Sequence, residues 1–187
     1  MTSEQEIRAV VARVIEEVAE ATREGTPAPT LEIAIGADHG GFELKEKLIS
    51  HLRDQGYGVR DCGTTSNDAV DYPEFAFAVA RLVADGACAS GIVVDGAGIG
   101  SCMTANKVPG VRAAMCYDLS SARNSREHNH ANVLTLGAGL IGDNLARQIV
   151  DVWLATPWGP GRHARRVEMI HRFEREPSEE TADSSEE

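Results

Sequence analysis

The strongest constraint on the fold of this chain is a regular alternation of short apolar runs with segments of helical spacing. Five runs rich in β-branched residues predict strands at 32–36, 58–62, 91–95, 111–116 and 132–136. Amphipathic spacing predicts helices at 42–55, 72–85, 101–107, 119–127, 144–154 and 161–175. This alternation is typical of βαβ units. We therefore predict an α/β fold, a three-layer α/β/α, Rossmann-like domain with a five-stranded parallel sheet.

The domain predicted from these elements spans residues 31–173, with different segments at its two ends. Residues 1–24 predict an amphipathic helix, whose apolar stripe consists of Ile7, Val10, Val11, Val14, Ile15 and Val18. Residues 25–30 contain two prolines and predict a linker. Residues 174–187 hold about half of the chain's net charge of −11 and predict a disordered acidic tail.

Composition narrows the class of protein. The chain is acidic and lacks a basic stripe, so we expect it to bind neither nucleic acid nor an anionic membrane. It has no signal-peptide pattern and no apolar run of membrane-spanning length, which predicts a cytoplasmic protein. The four cysteines show no CxxC spacing, so we expect reduced thiols and no metal site.

The residues after the third predicted strand favour chemistry on an anion. Asp95 is followed by three alternating glycines and by Ser101. Glycine lets a backbone approach a ligand closely, and a helix that starts near Ser101 has free amide groups at its first turn. Because ligands of parallel sheets bind outside the carboxyl ends of the strands, we expect three segments to share one site: 36–41, 95–100 and 126–129.

Six short stretches keep the order and spacing of one known family: 36–45, 61–64, 71–73, 105–110, 125–129 and 161–166. Together they resemble the ribose-5-phosphate isomerase B family, which includes allose- and galactose-6-phosphate isomerases. The resemblance runs from about Ile33 to Phe173. It implies an aldose–ketose isomerase that needs no cofactor and no metal. It also implies a homodimer or homotetramer with each active site between two subunits.

An isomerase of this type passes through an enediolate, whose negative charge backbone amides can stabilise. The candidate amides are those of Gly96, Gly98, Ile99, Gly100 and Ser101. His128 is the candidate that opens the sugar ring, because an imidazole titrates near neutral pH. Asn129 can hold a hydroxyl or the enediolate. The alternative for His128 is an ordinary surface or capping residue.

Arg162 and Arg166 lie four residues apart on a predicted helix, so they share one face and can clamp a phosphate. The resemblance adds Asp38, His39 and Tyr72 as sugar or phosphate contacts. Structural alternatives exist for these residues as well. The two arginines could form an ordinary solvated helix face, and Asp38 could cap the helix that follows it.

The chain differs from the family at the residue that serves as the catalytic base. Asp95 stands where the best-known members have a cysteine that removes the C2 proton, and Ser101 stands where other members have a glutamate. We predict Asp95 as the replacement base, because a carboxylate is ionised at neutral pH. The alternative is that Asp95 only caps the glycine loop. Ala97 and Gly139 replace a small hydroxyl residue and an arginine, so the preferred sugar stays open.

The default reaction is the interconversion of ribose 5-phosphate and ribulose 5-phosphate. The rivals are a different pentose or hexose, phosphorylated or not, and a non-catalytic binding or assembly protein. The helix at 1–24 and its linker resemble the encapsulation peptides of bacterial microcompartments. This resemblance implies a shell-protein partner and a place inside a microcompartment. The alternative is a helix that folds back on its own dimer.

Overall fold

A computed structural model of the chain describes residues 32–175. One parallel sheet has the strand order β2-β1-β3-β5-β4. The strands are β1 (Glu32–Ala37), β2 (Gly58–Asp61), β3 (Ser90–Asp95), β4 (Ala113–Met115) and β5 (Val133–Gly137). The helices are α1 (Phe42–Asp54), α2 (Tyr72–Ala84), α3 (Ile99–Ala105), α4 (Leu119–Asn129), α5 (Asp143–Ala155) and α6 (Arg162–Arg175). The predicted α/β fold with a five-stranded parallel sheet is confirmed.

Two apolar layers cover the two faces of the sheet. On β1, Ile33 and Ile35 point into one layer and Ala34 into the other. The larger layer packs α1, α4 and α5 on the sheet and contains the fully buried Trp153. The smaller layer packs α2 and α3 and contains Val79. Because both faces are covered, the central strands are apolar along their whole length instead of alternating with polar residues.

The ends of several elements differ from the prediction. Helix α3 begins at Ile99, two residues early, because Gly98 adopts a φ of 77° that completes the turn at once. Strand β4 has only three residues, as an edge strand that pairs with β5 alone. Helix α6 continues to Arg175, as its spacing predicted, and so extends two residues beyond the predicted domain boundary at 173, which stays a prediction. The carboxylate of Glu174 accepts the N–H of Gly110 at 3.1 Å, which holds this last turn on the domain.

The predicted helix at 1–24, the linker at 25–30 and the rest of the acidic tail lie outside the described residues. They stay predictions. The four cysteines are free thiols, as expected. Between residues 32 and 175, no helix is both long and apolar enough to span a bilayer.

The topology creates a crevice between two strands. After β1 the chain adds β2 on one side of the sheet, and after β3 it adds β4 and β5 on the opposite side. The strand order therefore reverses between β1 and β3, and parallel sheets bind ligands outside the carboxyl ends of strands at such a point. We call the edge where the strands end the carboxyl edge, and the edge where they begin the amino edge.

Candidate active site

Asp95 ends β3 at the carboxyl edge, and the turn that follows holds its side chain. Oδ1 accepts the N–H groups of Ala97, at 2.8 Å, and of Gly98. Oδ2 accepts both the N–H of Ser101, at 3.1 Å, and its hydroxyl, at 2.5 Å. An ionised carboxylate has about four lone-pair sites, and these donors occupy that number. This geometry is typical of the alternative role, a carboxylate that caps the glycine loop, and the role of Asp95 as base stays a prediction.

The same hydrogen bonds separate the predicted amide donors into two groups. Asp95 already accepts the N–H groups of Gly98 and Ser101, so the prediction that these two would face an enediolate is wrong. Ser101 is also completely buried. Within the described chain, the N–H groups of Gly96, Ile99 and Gly100 have no acceptor. These three amides therefore remain available to hold an oxyanion.

Asp38 and His39 lie in the loop after β1, on the other side of the crevice. Oδ1 of Asp38 accepts the N–H of Gly41 at 2.9 Å, just before α1. Oδ2 of Asp38 has no hydrogen-bond partner among residues 32–175. Asp38 thus has a structural role through one oxygen only. His39 is exposed, and its Nδ1 lies 3.1 Å from the carbonyl oxygen and 3.2 Å from the amide nitrogen of Val70, which ties this loop to the segment before α2.

Tyr72 begins α2 and covers the glycine loop. A Cβ built on Gly100 would lie 2.5 Å from the Tyr72 ring, so the ring packs against bare backbone. The segment that leads to Tyr72 is anchored by Lys45, which is fully buried and donates to the two carboxylate oxygens of Asp61 at 2.7 and 2.8 Å. Asp61 also accepts the N–H of Gly63 at 2.9 Å. An ion pair between a buried lysine and a partly exposed aspartate therefore anchors the start of this segment.

His128 and Asn129 lie at the amino edge. They end α4, which starts at the carboxyl edge after β4 and runs back along the sheet. The N–H of Gly91, near the start of β3, donates to the carbonyl of Asn132 at 3.0 Å, so the chain just after α4 lies at the beginning of β3. A strand of six residues is roughly 20 Å long. The prediction that 126–129 shares one site with 36–41 and 95–100 is therefore wrong within a single chain.

The predicted phosphate clamp lies at the amino edge, close to His128. The rings of His128 and His163 stack with centroids 4.3 Å apart. Arg162 and Arg166 are exposed on α6. The pKa of His163 is lowered, first by desolvation and then by the positive charges of His128, Arg162 and Arg166. These four residues form one group whose positive charge comes from the two arginines, and we call it the cationic cluster.

Sequence reasoning missed two features of this cluster. His163 lies inside the matched stretch 161–166, but only the folded chain shows that its ring stacks on a neighbouring helix. The second feature is the anchor between α4 and α6: the N–H of Gly159 donates to the carbonyl of Glu127 at 2.8 Å, and Nε2 of His130 lies 2.7 Å from the carbonyl of Gly159. These contacts hold the start of α6 beside the end of α4.

The cysteines do not replace the family's missing base. Burial raises the pKa of Cys62 to about 11, and burial also raises the pKa of Cys88 and of Cys116. The thiol of Cys102 donates to the carbonyl of Ala113 at 3.4 Å. A thiol with a raised pKa stays protonated at neutral pH and is a poor base. Cys62, Cys88 and Cys116 are therefore poor candidates for the base that the family resemblance implies.

Gly139 and Ala97, the two departures that affect substrate choice, lie beside the glycine loop. The N–H of Gly139 donates to the carbonyl of Gly96 at 2.9 Å, and a Cβ built on Gly139 would lie 3.0 Å from the same oxygen. A side chain at position 139 would therefore push the two loops apart by a few tenths of an ångström. A Cβ built on Gly137 would lie 2.6 Å from the carbonyl oxygen of Ala97, so this approach of the two backbones is closer still.

Comparisons with known proteins agree on one family. The Ribose/Galactose Isomerase family model matches residues 33–170. Ribose-5-phosphate isomerase B of Escherichia coli (strain K12) is 45% identical over 143 residues, which cover 76% of this chain and 96% of the relative. Ribose-5-phosphate isomerase B of Mycobacterium tuberculosis (strain H37Rv) is 41% identical over 148 residues, 78% of this chain and 91% of the relative.

Solved structures give the same result. Ribose-5-phosphate isomerase B of Clostridium thermocellum superposes with a TM-score of 0.76 at 50% identity, covering 76% of this chain and 97% of that one. The enzyme of Mycoplasma genitalium, solved with bound ribulose-5-phosphate, has a TM-score of 0.76 at 41% identity and covers 78% of this chain and 97% of that one. The chain described here belongs to the Ribose/Galactose Isomerase family.

Proposed function

We propose that this chain interconverts ribose 5-phosphate and ribulose 5-phosphate at active sites formed between two copies. Its family makes it an aldose–ketose isomerase for sugar phosphates. The site between two copies is supported by one observation: the candidate residues lie at opposite edges of one sheet. The substrate is supported by the matched relatives, which are named ribose-5-phosphate isomerase B. The two groups are complementary, since one holds the reacting carbons and the other holds the phosphate.

A second copy is needed because of distance. The free amides of Gly96, Ile99 and Gly100 lie at the carboxyl edge, whereas the cationic cluster lies at the amino edge, roughly 20 Å away. A pentose phosphate is too short to reach both groups of one chain. A twofold arrangement that places the amino edge of one copy on the carboxyl edge of the other creates two complete sites.

The carboxyl edge has the surface that such a contact requires. Several large apolar side chains are exposed there on α3 and on the loops after β4 and β5, which supports burial against a partner. They are Ile99, Met103, Tyr117, Leu119 and Leu140. The contact would also exclude water from the glycine loop, which strengthens hydrogen bonds to an enediolate.

In this site each group has a defined task. His128 of one copy opens the sugar ring by moving a proton between ring oxygen and hydroxyl. Asn129 orients a hydroxyl, and Arg162 with Arg166 binds the phosphate. The free amides of the other copy hold the enediolate oxygen. The prediction that Asp95 removes the C2 proton belongs to this scheme, although its four hydrogen bonds support the capping role equally directly.

A complementation experiment tests the site between copies. Asp38→Asn disables the carboxyl edge and His128→Ala disables the amino edge, so we expect each variant alone to lose about 100-fold or more in kcat on ribose 5-phosphate. A dimer of one copy of each has one intact site. After co-expression, random pairing should restore about a quarter of wild-type activity.

Mixing His128→Ala with Asn129→Ala is the matched control, because both changes lie at the amino edge and no intact site forms. Equal recovery in this control, or no recovery in the first mixture, would contradict the shared site. Inactivity of the wild-type protein on ribose 5-phosphate would contradict the proposed reaction itself.

A different sugar is the second candidate, favoured by Gly139. The family's arginine is absent there, and the loop instead makes a close backbone contact with Gly96. Turnover of a panel of phosphorylated and unphosphorylated aldoses by the wild-type protein separates the two candidates. If kcat/KM is highest for another sugar, that sugar is the preferred substrate, and the proposed isomerase reaction is otherwise unchanged.

We also propose that residues 1–24 direct the enzyme into a bacterial microcompartment. The proposal is supported by the apolar stripe of the predicted helix and by the proline-containing linker at 25–30. An apolar stripe on a tethered helix requires a partner that buries it.

A further inference from the structure

Two carboxylates, Asp38 and Asp95, lie at the carboxyl edge where β1 and β3 end, and their hydrogen bonding differs sharply. We infer that Asp38 is the group that moves the proton between C2 and C1 of the sugar, and that Asp95 shapes the loop. This inference rests on the proposed function, because it assigns a base to that reaction.

Asp95 is poorly suited to accept a proton. Its two oxygens accept four hydrogen bonds from the turn at 97–101, and the residue is 5% exposed. A base needs a free lone pair aimed at the carbon acid. Here, a proton could enter only by displacing one of these four donors, three of which are backbone N–H groups of the loop that holds the free amides.

Asp38 has the opposite arrangement. It is 9% exposed and accepts one hydrogen bond, from Gly41 to Oδ1, so lone pairs of Oδ2 remain free. Only Arg147 Nε and Trp153 Nε1 are sealed, unpartnered side-chain atoms in the described chain, so Oδ2 of Asp38 is in contact with solvent. Asp38 is thus nearly buried, with one unoccupied oxygen that a ligand can reach.

The position of Asp38 suits the reaction. A Cβ built on Gly40 would lie 3.4 Å from Oδ1 of Asp38 and 3.7 Å from the amide nitrogen of Gly96. The carboxylate and one of the free amides therefore border the same small volume. A sugar bound there would have a base beside its reacting carbons and a donor beside the oxygen that gains charge.

His39, the other titratable group of this loop, differs from Asp38 in its environment. Its ring is exposed, and its Nδ1 lies 3.1 Å from the carbonyl oxygen and 3.2 Å from the amide nitrogen of Val70, so the ring is held on the segment before α2. Burial raises the pKa of the Cys62 and Cys116 thiols, which makes both poor bases at neutral pH. Asp38 is the group of this crevice that combines an open lone pair with a position beside a free amide.

The chemistry balances with Asp38 alone at carbon. Asp38 takes the proton from C2, the C2–H electron pair forms the C1=C2 double bond, and the carbonyl pair moves onto O1, which receives the proton of the C2 hydroxyl. The pair left on the C2 oxygen forms the new carbonyl, while the C1=C2 pair takes the proton of Asp38 at C1. The carboxylate is regenerated, and no oxidant or reductant is consumed.

The test compares Asp38→Asn with Asp118→Asn in the full-length chain. Asp118 is the matched control, because it also accepts one backbone N–H, that of Ser121 at 2.8 Å, at the start of a helix. We expect Asp38→Asn to lower kcat and the exchange of the C2 proton into D₂O by at least several hundredfold, with KM within about threefold. Asp118→Asn should keep kcat within about twofold.

Chemical rescue separates a base from a structural carboxylate. Added formate should raise kcat of Asp38→Ala by at least about tenfold, because a free carboxylate can enter the space and take the proton. It should leave Asp95→Ala unchanged, since a small anion does not rebuild four bonds to the loop.

Three outcomes would overturn the inference: a kcat of Asp38→Asn within about fivefold of wild type, a loss seen in KM alone, or rescue of Asp95→Ala in place of Asp38→Ala. Failure of formate to rescue either variant would leave Asp38 a structural carboxylate and overturn it too. If the wild-type protein exchanges no C2 proton with any sugar phosphate, the proposed function fails and this inference fails with it.

Discussion

The carboxyl edge and the amino edge of the sheet carry candidate groups that are organised in different ways. At the carboxyl edge, buried side chains and bare backbone form the site, with Asp95 and Ser101 hydrogen-bonded inside the turn. At the amino edge, the groups are half-buried or exposed side chains on two helices, such as His128 and Arg162. The first is preorganised by its own chain, whereas the proposed second copy would exclude water around the second.

This difference suits the two tasks. Stabilising an enediolate requires donors that do not reorganise during the reaction, which backbone amides in a short turn provide. Binding a phosphate requires charge and reach, which long arginine side chains provide. We therefore expect substitutions at the carboxyl edge to lower kcat, and substitutions of the arginines at the amino edge to raise KM.

After the variants of the proposed base, we expect the largest effect from variants of Arg162 and Arg166. Arg162→Ala and Arg166→Ala should each raise KM for the phosphorylated sugar by about 10- to 100-fold, because a charged hydrogen bond remote from the reacting carbons contributes about 1.5–3 kcal/mol to binding. We expect kcat to change little. Steady-state kinetics measure both constants.

Arg165→Ala is the control for these variants, because Arg165 is exposed on the same helix and lies outside the predicted pair. A similar rise in KM for this control would mean that only the net charge of α6 matters. A fall in kcat without a change in KM for Arg162→Ala would break the division of tasks between the edges.

Asp95→Asn tests how strongly the carboxyl edge is preorganised. The amide cannot accept all four hydrogen bonds, so the free energy of unfolding should fall by about 1–3 kcal/mol and the melting temperature by several degrees. Thermal unfolding followed by circular dichroism measures this change. Asp118→Asn is again the control, because asparagine is also a good helix cap.

The result for Asp95→Asn also decides the base predicted from the sequence. An unchanged melting temperature with a kcat lowered by several hundredfold would support Asp95 as the base. A lowered melting temperature with proton exchange that persists would support the capping role.

The smallest expected effect concerns the N-terminal segment. Deleting residues 1–30 should leave kcat, KM and melting temperature nearly unchanged, because a tethered helix contributes to neither edge of the sheet. The same segment fused to an unrelated protein should carry it into microcompartments. Val11→Glu with Ile15→Glu places charge in the apolar stripe and should abolish this transport. Loss of stability or of the dimer on deletion would instead assign the helix to the enzyme's own structure.

Local patterns were sufficient to predict the sheet and most of its helices. The strands are apolar along their length and the helices have one apolar stripe, so spacing alone distinguishes them. Element ends were harder to predict. The start of α3 depends on the positive φ of Gly98, and β4 is shorter than predicted because it is an edge strand that pairs with β5 alone.

The residues of the candidate site were predicted from the sequence, but their arrangement in space was not. The motifs contained Asp38, Asp95, His128 and Arg162, and their spacing along the chain says nothing about which hydrogen bonds they make. The structure shows that Asp95 is occupied by four donors while Asp38 keeps an oxygen free. Hydrogen bonding of this kind depends on backbone geometry, which a residue pattern does not specify.

The sequence by itself determined the α/β alternation, the family and the identity of the chemical groups, because each of these is carried by residue type and local spacing. Only the tertiary structure decided where those groups lie. A helix that follows a parallel strand must return to the strand's starting edge, so His128 and the arginines are carried away from the glycine loop of their own chain. That return path is a property of the sheet as a whole.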